Sequence, residues 1–136
     1  MTQYFDALET RSADERAADI AAALPRQIAL ARGLPGYAGQ LSGVDAEAVT
    51  GAEALAALPV LRKSELSRAQ GQSAPFGGFT SKPASGFGHI FQSPGPIYEP
   101  GGTDHDWWRM GRFLHAAGIG KGDIVQNCFG YHLTPA

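Results

Sequence analysis

The chain has little of what marks several large functional classes. It holds one cysteine, Cys128, so no disulfide can form within it. That composition is compatible with a reducing compartment. Thirteen acidic residues against eleven basic ones give a net charge of −2, with no basic excess of the kind that binds nucleic acid or an anionic membrane. No apolar stretch approaches the roughly 20 residues of a membrane span, and the opening MTQYFDALETRSADER has neither the basic start nor the apolar run of a secretory signal. These features predict a soluble, cytoplasmic chain with no nucleic-acid or membrane partner. The four histidines, His89, His105, His115 and His132, have no zinc-like spacing, so no metal site is expected. No internal repeat, nucleophile elbow or dinucleotide fingerprint occurs.

What is present reads as helix first and mixed structure later. At 136 residues and 43% hydrophobic, the chain can form an ordinary core. Ser12 and Glu15 have the S-x-x-E form of a capping box and predict a helix start near Ala13. Ala17, Ile20, Ala21, Leu24, Ile28 and Ala31 make an apolar stripe that Gly33 and Pro35 end, and Pro25 is expected to kink or split the helix. A second box, Thr50 with Glu53, predicts a short helix burying Leu55 and Leu58 before Pro59. A third runs from about Ser64 to Gln70 and ends at Gly71, with Lys63 flanking it. Residues 1–71 thus form a helical preface.

Residues 72–88 are a Gly/Pro/Ser-rich connection of a length that is usually functional or mobile, pinned in places by Phe76, Phe79 and Phe87. Residues 89–136 read as the incomplete beginning of an α/β domain. A hairpin comes first, with strands at Gly88–Ser93 and Ile97–Glu99 around Pro94-Gly95-Pro96. A helix is then expected from an N-cap at Thr103, with Asp104 and Asp106 in its first turn and Trp107, Met110, Gly111, Leu114 and Ala117 on its buried stripe. Asp123 to Phe129 reads as a strand, with Cys128 a small buried hydrophobe. Such a strand needs neighbours in an α/β sheet, which are only partly present. The chain is therefore expected to be part of a longer enzyme, and to self-associate through Ile124, Val125 and Phe129 if expressed alone.

Two segments are candidates for chemistry. A phosphate-binding loop aims backbone N–H groups at an anion, aided by glycines and a lysine or hydroxyls. The turn Ser93 to Pro100 is poorly equipped for this by itself: Pro94 and Pro96 lack N–H groups, Gly95 is its only glycine, and Glu99 would repel phosphate. Ser93 and Tyr98 do supply hydroxyls. The second candidate, Phe129-Gly130-Tyr131-His132-Leu133-Thr134, lies at a strand's carboxyl end, where open α/β sheets place ligand crevices. Its aromatics and imidazole can line an acyl or aryl pocket, or simply pack at the strand end.

Taken in order, Tyr4-Phe5-Asp6, Glu9-Thr10-Arg11, LPVLRKSEL from Leu58, SPGPIYEP from Ser93 and the run from Asp104 to Ala136 resemble the start of phenylacetate-CoA ligase-like proteins of the adenylate-forming superfamily. The resemblance covers nearly the whole chain. It implies a ligase that uses ATP and Mg2+ to convert a carboxylic acid, aryl or related, to an acyl-adenylate, then to a thioester of coenzyme A (CoA). It implies that this chain is about the first third of the protein, inactive alone, with the catalytic residues downstream of Ala136, and it leaves a homodimer of the full-length protein open. Ser93, Gly95, Ile97 and Tyr98 fall at the family's phosphate loop, here without its lysine. Phe129, Gly130, Tyr131, His132 and Thr134 fall at the start of its acid pocket, with His132 in place of a glycine. The altered loop admits an alternative: a binding or carrier-dependent relative that does not adenylate. A basic residue reaching the loop from another segment would favour the ligase, and an uncompensated Glu99 the relative.

Overall fold

The computed structural model describes residues 3–128. Helix α1 spans Ala13–Arg32 and begins at the expected capping box. The Ser12 hydroxyl accepts from the Glu15 N–H at 3.2 Å, while the Glu15 carboxylate accepts from the Ser12 N–H at 2.8 Å. That N–H, then the Ser12 hydroxyl, hold the Glu15 carboxyl below its ordinary range. Gly33 caps the far end. Of the two outcomes expected of Pro25, a kink or a split, the split does not occur. The ring removes one backbone donor, but Pro25 and Ile28 lie three residues apart on one face and are both buried, which holds the two halves in one element. The first half of the stripe is uncovered among the described residues, with Ile20 exposed.

A short helix α2, Pro35–Ala38, leads to a 3-10 turn at Ala46–Ala48 and then to α3, Ala52–Ala56. Ile28, Ala46 and Val49 form a small core against which Val44, Ala54 and Leu58 pack. The Thr50–Glu53 box does not form: Gly51 occupies the cap position without a side-chain bond, and Leu55 is exposed. Helix α4, Lys63–Gln72, runs one turn's fraction past Gly71 and stops at Ser73. The connection that follows is pinned as expected. Phe76 is buried and meets Phe87 edge-on at 5.5 Å, and Phe79 meets Tyr37 at 4.8 Å.

Strands β1, His89–Ser93, and β2, Ile97–Gly101, form the expected antiparallel hairpin, with Ser93 opposite Ile97 and His89 opposite Gly101. Together the described residues make a mixed fold of helices with one small two-stranded sheet. None of their helices is long and apolar enough to cross a membrane.

Past the hairpin the structure departs from the sequence reading. Helix α5 spans only Gly111–Ala116, and Thr103 caps nothing helical. Asp106 and Arg109 take left-handed φ values of 51° and 57°, which break the helical path. The tryptophans supply a reason. Trp107 packs on Gly102 and Phe87, and Trp108 on Gly101 and Phe91, so adjacent side chains turn back onto neighbouring structure. A helix would point them about 100° apart. Asp106 acts as an acceptor for the Gly111 N–H at 2.8 Å, preceding α5 rather than starting a helix at Thr103. The segment Asp123 to Cys128 forms no strand. Ile124 is fully exposed and Cys128 is exposed rather than buried, and the segment pairs with neither of the described strands.

Candidate functional site

The hairpin turn lies against α4, and α4 supplies side chains that the turn lacks. Lys63, Ser67 and Gln70 fall at i, i+4 and i+7, one face of the helix. Each reaches the hairpin. Lys63 Nζ is 3.5 Å from Glu99 Oε1, Ser67 Oγ is 3.5 Å from the Gly95 carbonyl, and Gln70 binds Tyr98. The Gln70 contact is double: its Nε2 donates to the Tyr98 carbonyl and its Oε1 accepts the Tyr98 N–H, both at 2.8 Å. A buried side-chain amide thus bonds the outer edge of β2 as a third strand would. Pro100, two residues on, presents its missing N–H to this same outer edge, where it costs no bond to β1.

Inside the turn, Ser93 is buried, with its hydroxyl 3.3 Å from Glu99 Oε1 and 3.5 Å from the Ile97 carbonyl. The two acceptors compete for one proton, so this hydroxyl can change partner without breaking the hairpin. Gly95 has φ 152°, and a Cβ there would lie 2.9 Å from Ile97 Cγ1, so the turn requires glycine.

The structure brings Ser93, Gly95, Ile97 and Tyr98 together, and it separates their roles. Ile97 is buried beneath the turn, and the Tyr98 N–H is already committed to Gln70. Neither is a free anion donor. The useful groups are Ser93 and the α4 residues Lys63 and Ser67, which sequence reasoning missed as site residues. Their i, i+4 spacing was the available signal. The second candidate, Phe129 to Thr134, lies outside the described residues.

No family model, no curated protein and no solved structure matches the chain. Among the described residues, no group of three or more His, Cys, Asp or Glu side chains could hold a metal ion. The cluster at the turn fits an anion better: one ammonium, two hydroxyls and a single carboxylate already beside the ammonium.

A separate ion pair ties the start of the chain to α5. Asp6 accepts from Arg112 Nη2 at 3.0 and 3.1 Å and from Nε at 3.3 Å, and also caps the 3-10 turn Ala7–Thr10 through the Leu8 N–H. The Arg112 guanidinium, above all, holds the Asp6 carboxyl below its ordinary value of 3.8. A carboxyl whose folded pKa is depressed stabilises the fold above its unfolded pKa, and this contribution is lost as pH falls through the folded value. Thermal midpoints measured from pH 5 to pH 2 are expected to fall less steeply for Asp6→Asn than for the unaltered chain. Equal slopes would mean that the pair is not formed in solution.

Proposed function

We propose that this chain is the N-terminal portion of an ATP-dependent acid–CoA ligase of the phenylacetate-CoA ligase-like kind. In such a reaction a carboxylate oxygen attacks the α-phosphorus of ATP and pyrophosphate leaves. The thiol of CoA then attacks the acyl carbon, and AMP leaves. The catalytic residues are expected downstream of Ala136, so the chain alone would be inactive. The observation that supports this reading is Lys63: a basic residue reaches the hairpin turn from another segment and stands beside Glu99.

The pair is loose. Lys63 has a side chain 61% exposed, and its nitrogen lies at 3.5 Å from the carboxylate. Solvent-exposed pairs of this sort contribute about 0–1 kcal/mol. The ammonium can therefore leave Glu99 for a phosphate oxygen at little cost, while the Ser93 hydroxyl turns to Glu99. Lys63 and Ser67 would hold a nucleotide phosphate here, replacing the lysine absent from the turn. Bound ATP would supply the activated phosphoryl group. No residue described is assigned to Mg2+.

Lys63→Gln in the full gene product is expected to lower kcat/KM for ATP in acid-dependent ATP–pyrophosphate exchange by about tenfold or more, the usual effect of losing a charge-assisted contact to phosphate. Lys63→Arg should retain part of it. Unchanged exchange in Lys63→Gln would remove Lys63 from the site.

One observation favours a second reading. Pro94 and Pro96 have no N–H, and the Tyr98 N–H is occupied, so the turn offers few backbone donors to a phosphate. A relative that binds the acid, or receives it on a carrier thiol, without adenylating it would tolerate that loss.

A further inference from the structure

The N-terminal turn and the segment before α5 enclose a cavity of about 200 Å³ that shares no lining residue with the hairpin turn. Phe5 and Leu8 provide its apolar wall, Asp6, Asp106, Arg109 and Arg112 provide its charges, and the His105 imidazole completes the lining. Three of these charged groups are committed. Asp6 and Arg112 bind each other, and Asp106 accepts the Gly111 N–H. Arg109 is different: it is exposed and makes no ion pair with any described carboxylate. Its backbone is held in the left-handed region at φ 57° by an N–H bond to the Asp106 carbonyl, so the turn that places it at the cavity is built rather than incidental. Phe5 is fixed as well. Its ring covers Gly111, where a Cβ would lie 2.6 Å from it, and it meets His115 at 6.0 Å.

We propose that this cavity binds a small organic monocarboxylate, with the carboxylate on the Arg109 guanidinium and the apolar body against Phe5 and Leu8. A guanidinium presents paired N–H groups that match a carboxylate. The volume lies below the roughly 300–1,000 Å³ of sites for drug-sized ligands, so the body is small. Asp6 and Asp106 oppose a doubly charged phosphate, and a phosphate has no use for the apolar wall. The site does not depend on the ligase reading.

Ligand-observed saturation-transfer NMR tests it, because the readout tolerates self-association of the protein. Benzoate, its neutral isostere benzamide and inorganic phosphate are compared. Benzoate is expected to bind, benzamide not, and phosphate at equal concentration should not displace benzoate. Arg109→Gln should weaken benzoate by about tenfold or more. Leu8→Asp alters an exposed position and keeps the test open if Arg109→Gln fails to fold; it too should abolish binding, with an unchanged circular dichroism spectrum. Binding of benzamide as tight as benzoate, displacement by phosphate, or unaltered benzoate binding in either folded variant would overturn the proposal.

Discussion

Gln70→Ala is expected to lower the thermal midpoint by roughly 5–10 °C and to free the hairpin from α4. The side chain is 7% exposed and makes both hydrogen bonds to the Tyr98 backbone. Each such bond contributes about 0.5–1.5 kcal/mol net, and a buried group left without a partner costs more. Tyr98 is itself 37% exposed, which lets water recover part of the loss. About 2 kcal/mol therefore remains, and a domain of this size converts that to the stated shift. Gln70→Glu discriminates hydrogen bonding from packing. At neutral pH the introduced carboxylate still accepts the Tyr98 N–H but opposes the Tyr98 carbonyl. Once protonated it can donate again. Its folded pKa is thus raised, and the variant should regain stability relative to the parent as pH falls and lose it as pH rises through that pKa. A variant equally stable at both ends of the range would show that shape alone holds this contact.

Gly36→Ala is the second substitution expected to have a large effect. A Cβ at Gly36 would lie 2.6 Å from Cδ1 and 2.8 Å from Cε1 of Phe79, far inside contact distance. The backbone cannot move away easily, since the Gly36 N–H donates to the Gly78 carbonyl at 3.0 Å and Gly78 holds φ 77°. Phe79 is also braced edge-on by Tyr37. Overpacking of this kind costs about 1–3 kcal/mol. The mechanism is checked by a double-mutant cycle. In a Phe79→Ala background the alanine at 36 should cost much less, because its obstacle is gone. Additive effects would place the strain in the backbone instead.

These two contacts show why part of the architecture was legible and part was not. The α1 start was readable because Ser12 and Glu15 satisfy each other within one turn. The hairpin was readable because Pro94-Gly95-Pro96 interrupts two apolar runs. Gln70 and Tyr98 stand 28 residues apart, Lys63 and Glu99 36 apart, and nothing local announces that they meet. The i, i+4, i+7 set on α4 shares its helix with Ser64, Glu65, Arg68 and Gln72, so spacing alone does not single it out. The segment from Thr103 failed for another reason. Trp107, Met110 and Leu114 imitate a helical stripe, but the tryptophan pair gains more by packing back on Gly101, Gly102 and the hairpin. The apolar residues of Asp123 to Cys128 make a strand only where another strand pairs with them, and neither described strand does. Of the candidate site, the hairpin turn forms where it was expected, the contact that Lys63 of α4 makes with it was not anticipated, and the aromatic segment from Phe129 lies beyond the described residues.

The hairpin turn, supplied with Lys63 by α4, is proposed to belong to an enzyme that adenylates a carboxylic acid. The most direct test is ATP–pyrophosphate exchange by the full gene product, with an aryl acid, a fatty acid and no acid compared. Exchange that requires one of the acids is the predicted result, and it would name the substrate class. Folded protein that binds an acid yet exchanges no pyrophosphate with any of them would contradict the claim.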